Sequence, residues 1–245
     1  MMQSAIDSSC EPDDFLAFSN KVVLSRPNTQ ARKYLILPFS CDLTSYGNNI
    51  VASVSAELAA DTESYINKYS VEHCFETPAM QVLNKILKKR DLCVCFMAEY
   101  FLPDATQMIP LPCRYKTRLL YPEDFSTLYL PQWSNALCKE RRHLDVLGIG
   151  AFDGDRLIGL AGCSADCDTM WQIGIDVLPE YRRQGIAACL TSRLALEVLK
   201  KDIVPFYCCA WSNIKSKKNA LKSGFRPAWV QLTARSIKFT EKMNQ

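Results

Sequence analysis

A basic, glycine-containing loop between an apolar strand and an amphipathic helix is the segment of this sequence best suited to chemistry. The apolar run 171–177 leads into LPEYRRQGIA, and apolar residues then recur at helical spacing as far as Val198. A loop that enters a helix offers unpaired backbone N–H groups and the positive end of the helix dipole, which together attract anions. Gly185 has no Cβ, so a phosphate can approach the backbone closely there. The segment therefore predicts a phosphate site.

A second patterned segment follows the next apolar strand. Asn213 stands where the run 205–210 ends, Ser216 lies three residues further on, and Gly224 and Phe225 close a helix. Together the two segments resemble the R-x-x-G-x-A loop and the N-x-x-[SA]-x(7)-G-F helix of the GNAT superfamily of acyl-CoA-dependent N-acetyltransferases. The resemblance covers residues 113–237. The chain also resembles bacterial members of this superfamily that carry an N-terminal extension.

The resemblance implies both a fold and an activity. The fold is mixed α/β, a GNAT fold whose central, mostly antiparallel sheet contains two parallel strands that splay apart at the CoA site. The pantetheine arm lies in that gap and pairs with the backbone as an extra strand would. The implied activity is transfer of an acetyl group from acetyl-CoA to the amine of a small molecule or peptide. By the same resemblance, the region PEDFSTLYLPQWSNAL covers the acceptor side and shapes the amine site.

The resemblance also implies which residues bind the cofactor. Residues 175–177 border the pantetheine arm, largely through backbone groups, and residues 182–187 hold the pyrophosphate. Asn213 hydrogen-bonds the pantetheine or acyl region, and Ser216 reaches the arm or a phosphate. The full set is Ile175, Asp176, Val177, Arg182, Arg183, Gln184, Gly185, Ile186, Ala187, Asn213 and Ser216. Lys215, Lys218 and Lys222 share one helical face, which either attracts the 3′-phosphate or is simply solvated.

No catalytic residue can be assigned from the sequence. Ala220 stands where many family members carry a tyrosine as general acid, and Trp171 and Ile173 stand where others carry a base. Gln172 cannot titrate, and Asp176 is too close to the expected cofactor arm to serve as a base. Two interpretations therefore stay open: an acetyltransferase that acts slowly, without a phenolic acid, and a CoA-binding sensor or interaction module without turnover.

The predicted elements place both segments at strand ends. In the second half, RYKTRLL predicts a strand, YPEDFSTLYLPQW the opening of a helix, and VLGIGAF and RLIGLAG a hairpin joined at Asp153 and Gly154. The strand MWQIGIDV, a helix, the strand PFYCCAW, a second helix and a strand near WVQLTARSI follow. The order is βαβββαβα with a terminal strand.

The first half predicts a separate α/β unit with no readable motif. VLNKILKKR has helical spacing and precedes the apolar run LCVCFMAEY, while KYLILPF and NNIVASVSA predict strands. Pro103, Pro110 and Pro112 lie within ten residues and predict a linker, because clustered prolines neither continue a helix nor donate to a central strand. We therefore expect an N-terminal domain of unknown role at 1–112 and a GNAT domain at 113–245.

Composition excludes several classes of function. The formal net charge of +3, from 29 basic and 26 acidic residues, is too small for a nucleic-acid-binding surface. The N-terminus lacks the pattern of a signal peptide, and the most apolar stretch contains Glu99 and is too short to span a bilayer. The sequence thus predicts a cytoplasmic protein without membrane or nucleic-acid partners, and it leaves the oligomeric state open.

The twelve cysteines predict reduced, buried thiols. No C-x-x-C pair occurs, and His73 and His143 are the only two histidines, so closely spaced ligands for a structural zinc ion are lacking. We therefore predict no metal site, with metal-dependent regulation through the cysteines as a third hypothesis. A Cys–His nucleophile pair that uses His143 also stays open.

Overall fold

The computed structural model describes residues 1–245 as a mixed α/β protein. The helices are α1 (Met2–Ser8), α2 (Ala59–Lys68), α3 (Val71–Cys74), α4 (Thr77–Lys88), α5 (Ile186–Leu199), α6 (Ile214–Lys222) and α7 (Ile237–Met243). The strands are β1 (Lys21–Leu24), β2 (Cys41–Ser45), β3 (Val51–Val54), β4 (Leu92–Pro103), β5 (Lys116–Leu120), β6 (Asp145–Asp153), β7 (Arg156–Ser164), β8 (Met170–Val177), β9 (Val204–Ala210) and β10 (Phe225–Ser236). The predicted fold class is confirmed.

Two compact units divide the chain. Unit 1 contains Met1–Glu99 and Ala228–Gln245, and unit 2 contains Tyr100–Pro227. The C-terminal residues belong to unit 1 because β10 pairs antiparallel with β2, with Val230 opposite Ser45. The units thus do not divide at residue 112, but a folding domain is defined by independent stability and not by contacts alone. The boundary near residue 112 stays a prediction.

Unit 1 contains a mixed sheet in the order β1-β3-β2-β10-β4. Strand β1 is parallel to β3, whereas β2 is antiparallel to β3 and to β10. Helix α4 is amphipathic and buries Leu83 and Leu87, and the predicted helix and strand of this region are confirmed. The predicted strand in KYLILPF is wrong: Ile36 is 60% exposed, and Pro38 has no N–H to donate to a sheet.

A buried carboxylate lies among the strands of unit 1. Asp42 is fully buried on β2, and its oxygens accept hydrogen bonds from Thr233, Gln231 and Thr44 at 2.5 to 3.2 Å. Burial raises the pKa of Asp42 from 3.8 to about 6, although these donors and the charge of Arg32 lower it. The folded state therefore binds a proton at Asp42 more tightly than the unfolded chain does.

This proton affinity gives stability a predictable dependence on pH. A carboxyl group with a raised folded-state pKa contributes most stability below its unfolded pKa, and that contribution is lost as pH rises from 3.8 to about 6. A shift of two units corresponds to roughly 3 kcal/mol. We expect urea unfolding to show that wild-type stability falls by about this amount between pH 4 and pH 7, and that the stability of the Asp42→Asn variant falls less. Identical pH profiles for both proteins would contradict the assignment.

Unit 2 contains a sheet in the order β9-β8-β7-β6-β5. Strands β5 to β8 are antiparallel to their neighbours, and β9 is parallel to β8. The predicted hairpin is confirmed, with Gly154 at a φ of +59° in its turn and Asp153 paired with Arg156. The core contains Ile149, Ile158, Ile173, Leu190, Leu194 and Phe225.

One predicted helix of unit 2 is reduced to short turns. The segment YPEDFSTLYLPQW forms two 3-10 turns, Pro122–Asp124 and Pro131–Trp133, instead of opening an α-helix. Each turn begins with proline, which fits a first helical turn but stops a helix that reaches it from the N-terminal side. None of the seven helices is both long and apolar enough to cross a membrane.

Candidate cofactor cleft

A cleft opens in unit 2 where two parallel strands separate. Strands β8 and β9 pair only over three residues each, from Met170 opposite Val204 to Gln172 opposite Phe206. Residues 173–177 and 207–210 continue without pairing to each other. The resulting cleft has a volume of about 1220 Å³ and is lined by β8, β9, the first turn of α5 and one face of α6. This size suits a large ligand, since small-molecule pockets span roughly 300–1,000 Å³.

The loop between β8 and α5 presents backbone donors to this cleft. Arg183 has a φ of +64°, and Gly185, the N-cap of α5, has a φ of +81°. No atom lies within 4 Å of the position where a Cβ on Gly185 would be. The N–H groups of Ile186, Ala187 and Ala188 have no hydrogen-bond acceptor within the chain. The loop thus has the open space and free donors that an anion needs.

Side chains of the neighbouring hairpin hold the loop in place. Glu180 pairs with Arg156 at 2.6 Å, and the Tyr181 hydroxyl donates to Asp153 at 2.9 Å. The Arg182 Nε donates to the Val177 carbonyl at 3.0 Å, which ties the loop to the end of β8. The loop is therefore fixed before any ligand arrives.

Helix α6 closes the other side of the cleft. The Asn213 side chain accepts a hydrogen bond from the Ser216 N–H at 3.1 Å and so caps the helix. The Ser216 Oγ lies 2.7 Å from the hydroxyl of Tyr207 on β9. Gly224 ends the helix at a φ of +91°, where a Cβ would lie 2.7 Å from the Gln107 carbonyl oxygen. The glycine of the second motif is thus required by backbone contact.

Charges that line the cleft are predominantly positive. The cationic side chains are Arg182, Arg183, Lys215, Lys218 and Lys222. The single carboxylate of the lining belongs to Asp176. This balance favours a ligand with several negative charges.

The Asp176 carboxylate binds a segment that crosses the sheet. It accepts hydrogen bonds from the Asn135 N–H at 2.8 Å, the Asn135 Nδ2 at 2.6 Å and the Ala136 N–H at 3.0 Å. The crossing backbone lies against two glycines that are paired across β7 and β8, Gly162 and Gly174. Asn135 therefore forms part of the cleft wall although it is distant in sequence.

Most of the predicted binding residues come together in this cleft. All of them line it except Gln184, whose Oε1 accepts a hydrogen bond from the Tyr115 hydroxyl at 2.9 Å. The three lysines of the helical face line it as well. Asn135 and Tyr207 line the cleft as well, although neither belongs to a motif and only the folded chain brings them here. Ligand binding by these residues stays a prediction.

Comparisons with known proteins relate the segment that contains this cleft to a protein family. The GNAT acetyltransferase family model matches residues 109–228. A GNAT-family structure from Novosphingobium aromaticivorans has a TM-score of 0.45 and 18% identity, with 59% of this chain and 66% of that chain covered. A GCN5-related N-acetyltransferase-like structure from Streptococcus suis has a TM-score of 0.46 and 18% identity, with 65% of this chain and 69% of that chain covered.

An aminoglycoside N-acetyltransferase in complex with CoA is a further similar structure, with a TM-score of 0.37 and 19% identity. It covers 48% of this chain and 91% of its own. No curated protein matches the sequence significantly. On the family match, with both motifs and the splayed strands in place, residues 109–228 of this chain belong to the GNAT acetyltransferase family.

Proposed function

We propose that the protein transfers an acetyl group from acetyl-CoA to the amine nitrogen of a small molecule or peptide. The observation that supports this most is the gap between β8 and β9, which leads from the paired ends of the strands to the basic loop before α5. A ligand with an anionic end, a long arm and a reactive far end fits this shape. Acetyl-CoA has these three parts.

The residues of the cleft suit each part of acetyl-CoA. The free N–H groups of the first turn of α5, together with Arg182 and Arg183, would hold the pyrophosphate. The backbone of residues 173–177 pairs with β7 but not with β9, and its open side would hydrogen-bond the pantetheine amides, with Asn213 and Ser216 opposite. Lys215, Lys218 and Lys222 would face the 3′-phosphate. When bound, acetyl-CoA supplies an activated acyl group.

The same residues would prepare the acyl group for attack. Backbone N–H groups near residues 175–177 would polarise the thioester carbonyl, as donors at an oxyanion site do. The acceptor amine would enter beside Asn135, on the wall that Asp176 holds. Asp176 accepts three hydrogen bonds there, so we assign it to positioning this wall and not to removing a proton.

A CoA-binding sensor without turnover is the second candidate function. Two observations favour it: the only carboxylate of the lining is engaged with Asn135 and Ala136, and the buried Ala220 occupies the position of the family's tyrosine. Such a protein would bind CoA with the same cleft and release no thiol when amines are added. The two candidates differ only in chemistry, so a single assay separates them.

Titration calorimetry with CoA, followed by a thiol-release assay with acetyl-CoA and a panel of amines, tests both proposals. Binding together with amine-dependent thiol release supports the acetyltransferase. Binding without release for any amine supports the sensor. Absence of CoA binding would overturn both.

The Arg182→Ala variant tests the charge at the loop. We expect it to weaken CoA binding about tenfold at low salt, because a guanidinium near the pyrophosphate is lost, and less at high salt, where screening already weakens the interaction. Calorimetry at two ionic strengths measures both effects. Arg118→Ala is a matched control, since Arg118 lies on β5 and does not line the cleft. Equal affinities for the Arg182 variant and the wild type would contradict the role.

A further inference from the structure

Two hydroxyl groups form a hydrogen-bonded pair in the wall of the cleft. The Tyr207 side chain projects from β9 and is 3% exposed, and its hydroxyl lies 2.7 Å from the Ser216 Oγ near the start of α6. Both residues line the cleft, beyond the point where β8 and β9 cease to pair. One hydroxyl hydrogen lies between the two oxygens, so the pair has a second hydrogen to give to a ligand.

The position of Tyr207 is set by packing as well as by this hydrogen bond. Its ring contacts Phe225 at 6.1 Å and Phe101 at 6.4 Å between centroids, within the core of unit 2. Ser216 is only half-buried. The phenol is thus held rigidly behind a serine that is more open to the cleft, which is an arrangement suited to passing a proton outward.

Acetyl transfer needs such a proton. The sulfur of CoA leaves as a thiolate unless a nearby group protonates it, and a positioned acid contributes typically 10²–10⁴-fold to a rate. Burial raises the pKa of Tyr207 above its ordinary value, and hydrogen bonds from Ser216 and Asn219 offset part of that rise. The phenol therefore keeps its proton throughout the neutral range.

Other titratable groups of the lining are less suited to this task. Asp176 accepts three hydrogen bonds as a carboxylate, and the Tyr181 hydroxyl donates to Asp153 beside the loop. The Cys208 sulfur accepts a hydrogen bond from the Gln172 Nε2 at 3.1 Å, so this thiol is held against β8. The lysines of α6 are exposed, at the side proposed for the phosphate.

We propose that the Tyr207–Ser216 pair delivers the proton to the departing sulfur of CoA. This inference rests on the proposed function and assigns an acid to the cleft, because Ala220 carries no acidic group. As the amine nitrogen bonds to the acyl carbon, the carbon–sulfur bond breaks and its electron pair stays on sulfur. Ser216 gives its hydroxyl proton to sulfur and takes the proton of Tyr207. Water then protonates the Tyr207 phenolate. The hydroxide that remains accepts the proton released by the amine nitrogen.

The Tyr207→Phe variant removes only the hydroxyl and keeps the packed ring. We expect kcat to fall about 100-fold with the most active amine, while the KM for acetyl-CoA changes less than about twofold. Ser216→Ala should lower kcat in the same way. Tyr65→Phe is the matched control: Tyr65 is 2% exposed in unit 1 and donates to the Cys74 carbonyl, so its loss should leave kcat unchanged.

The pH profile separates proton transfer from a structural role. Replacement of Tyr207 by 3-fluorotyrosine and by the more acidic 3,5-difluorotyrosine should move the basic limb of kcat/KM to lower pH in the order of phenol acidity. A limb that does not move, or full activity in Tyr207→Phe, would overturn this inference while the acetyltransferase stands. A wild-type protein that binds CoA but releases no thiol would instead overturn the proposed activity, and the inference with it.

Discussion

Replacement of Gly185 by valine is expected to abolish CoA binding and leave the protein folded. Gly185 caps α5 at a φ of +81°, and the space where its Cβ would lie is open, so an added Cβ clashes with no other part of the protein. That space is the approach to the N–H groups of the first turn of α5, which the pyrophosphate would use. The branched side chain would exclude the phosphate, and we expect affinity to fall at least about 100-fold by calorimetry.

A matched glycine separates lost binding from backbone strain. Gly47 in unit 1 has a φ of +111° and open space around its Cβ position, as Gly185 has, but it does not line the cleft. Gly47→Val should therefore lose stability and keep the affinity for CoA. Wild-type affinity in a folded Gly185→Val variant would show that the phosphates do not approach this backbone, and it would overturn the proposed pyrophosphate site.

The two motifs made the cleft predictable because their residue types are required by the local backbone conformation. Gly185 and Gly224 both adopt positive φ, and Asn213 caps the helix that it begins. Such requirements can be read from neighbouring residues alone. The hairpin at Gly154 was predictable for the same reason.

The exact positions of Asn135 and Tyr207 in the cleft depend on contacts between distant parts of the chain. Asn135 reaches the cleft because Asp176, 41 positions away, binds its backbone and side chain. The contact between the Tyr207 hydroxyl and Ser216 exists only because the fold places α6 beside β9. The segment KYLILPF was predicted as a strand because it is apolar, but it pairs with no strand in the structure. Periodicity indicates burial, but it does not show which partner provides it.

Addition of a single methyl group at Gly174 is expected to destabilise unit 2 and displace the wall that carries Asn135. A Cβ at this position would lie 1.8 Å from the Asn135 carbonyl oxygen and 2.7 Å from its carbon. These are backbone atoms, which the three hydrogen bonds to Asp176 hold in place, so no side-chain rotation relieves the overlap. We expect Gly174→Ala to lower the free energy of unfolding by about 3 kcal/mol, the upper end of the usual cost of overpacking.

Gly150→Ala in the same sheet is the matched control for Gly174→Ala. Its Cβ would also meet atoms below 3.0 Å, but these are the Leu157 Cδ1 and the Phe152 ring, the movable ends of side chains. The loss of stability in urea unfolding should therefore be clearly smaller than for Gly174→Ala. Hydrogen exchange of the Asn135 and Ala136 amides should accelerate only in the Gly174 variant, because displacement of the crossing segment breaks their bonds to Asp176. Unchanged exchange there, with wild-type stability, would mean that the segment does not lie on the glycine pair in solution.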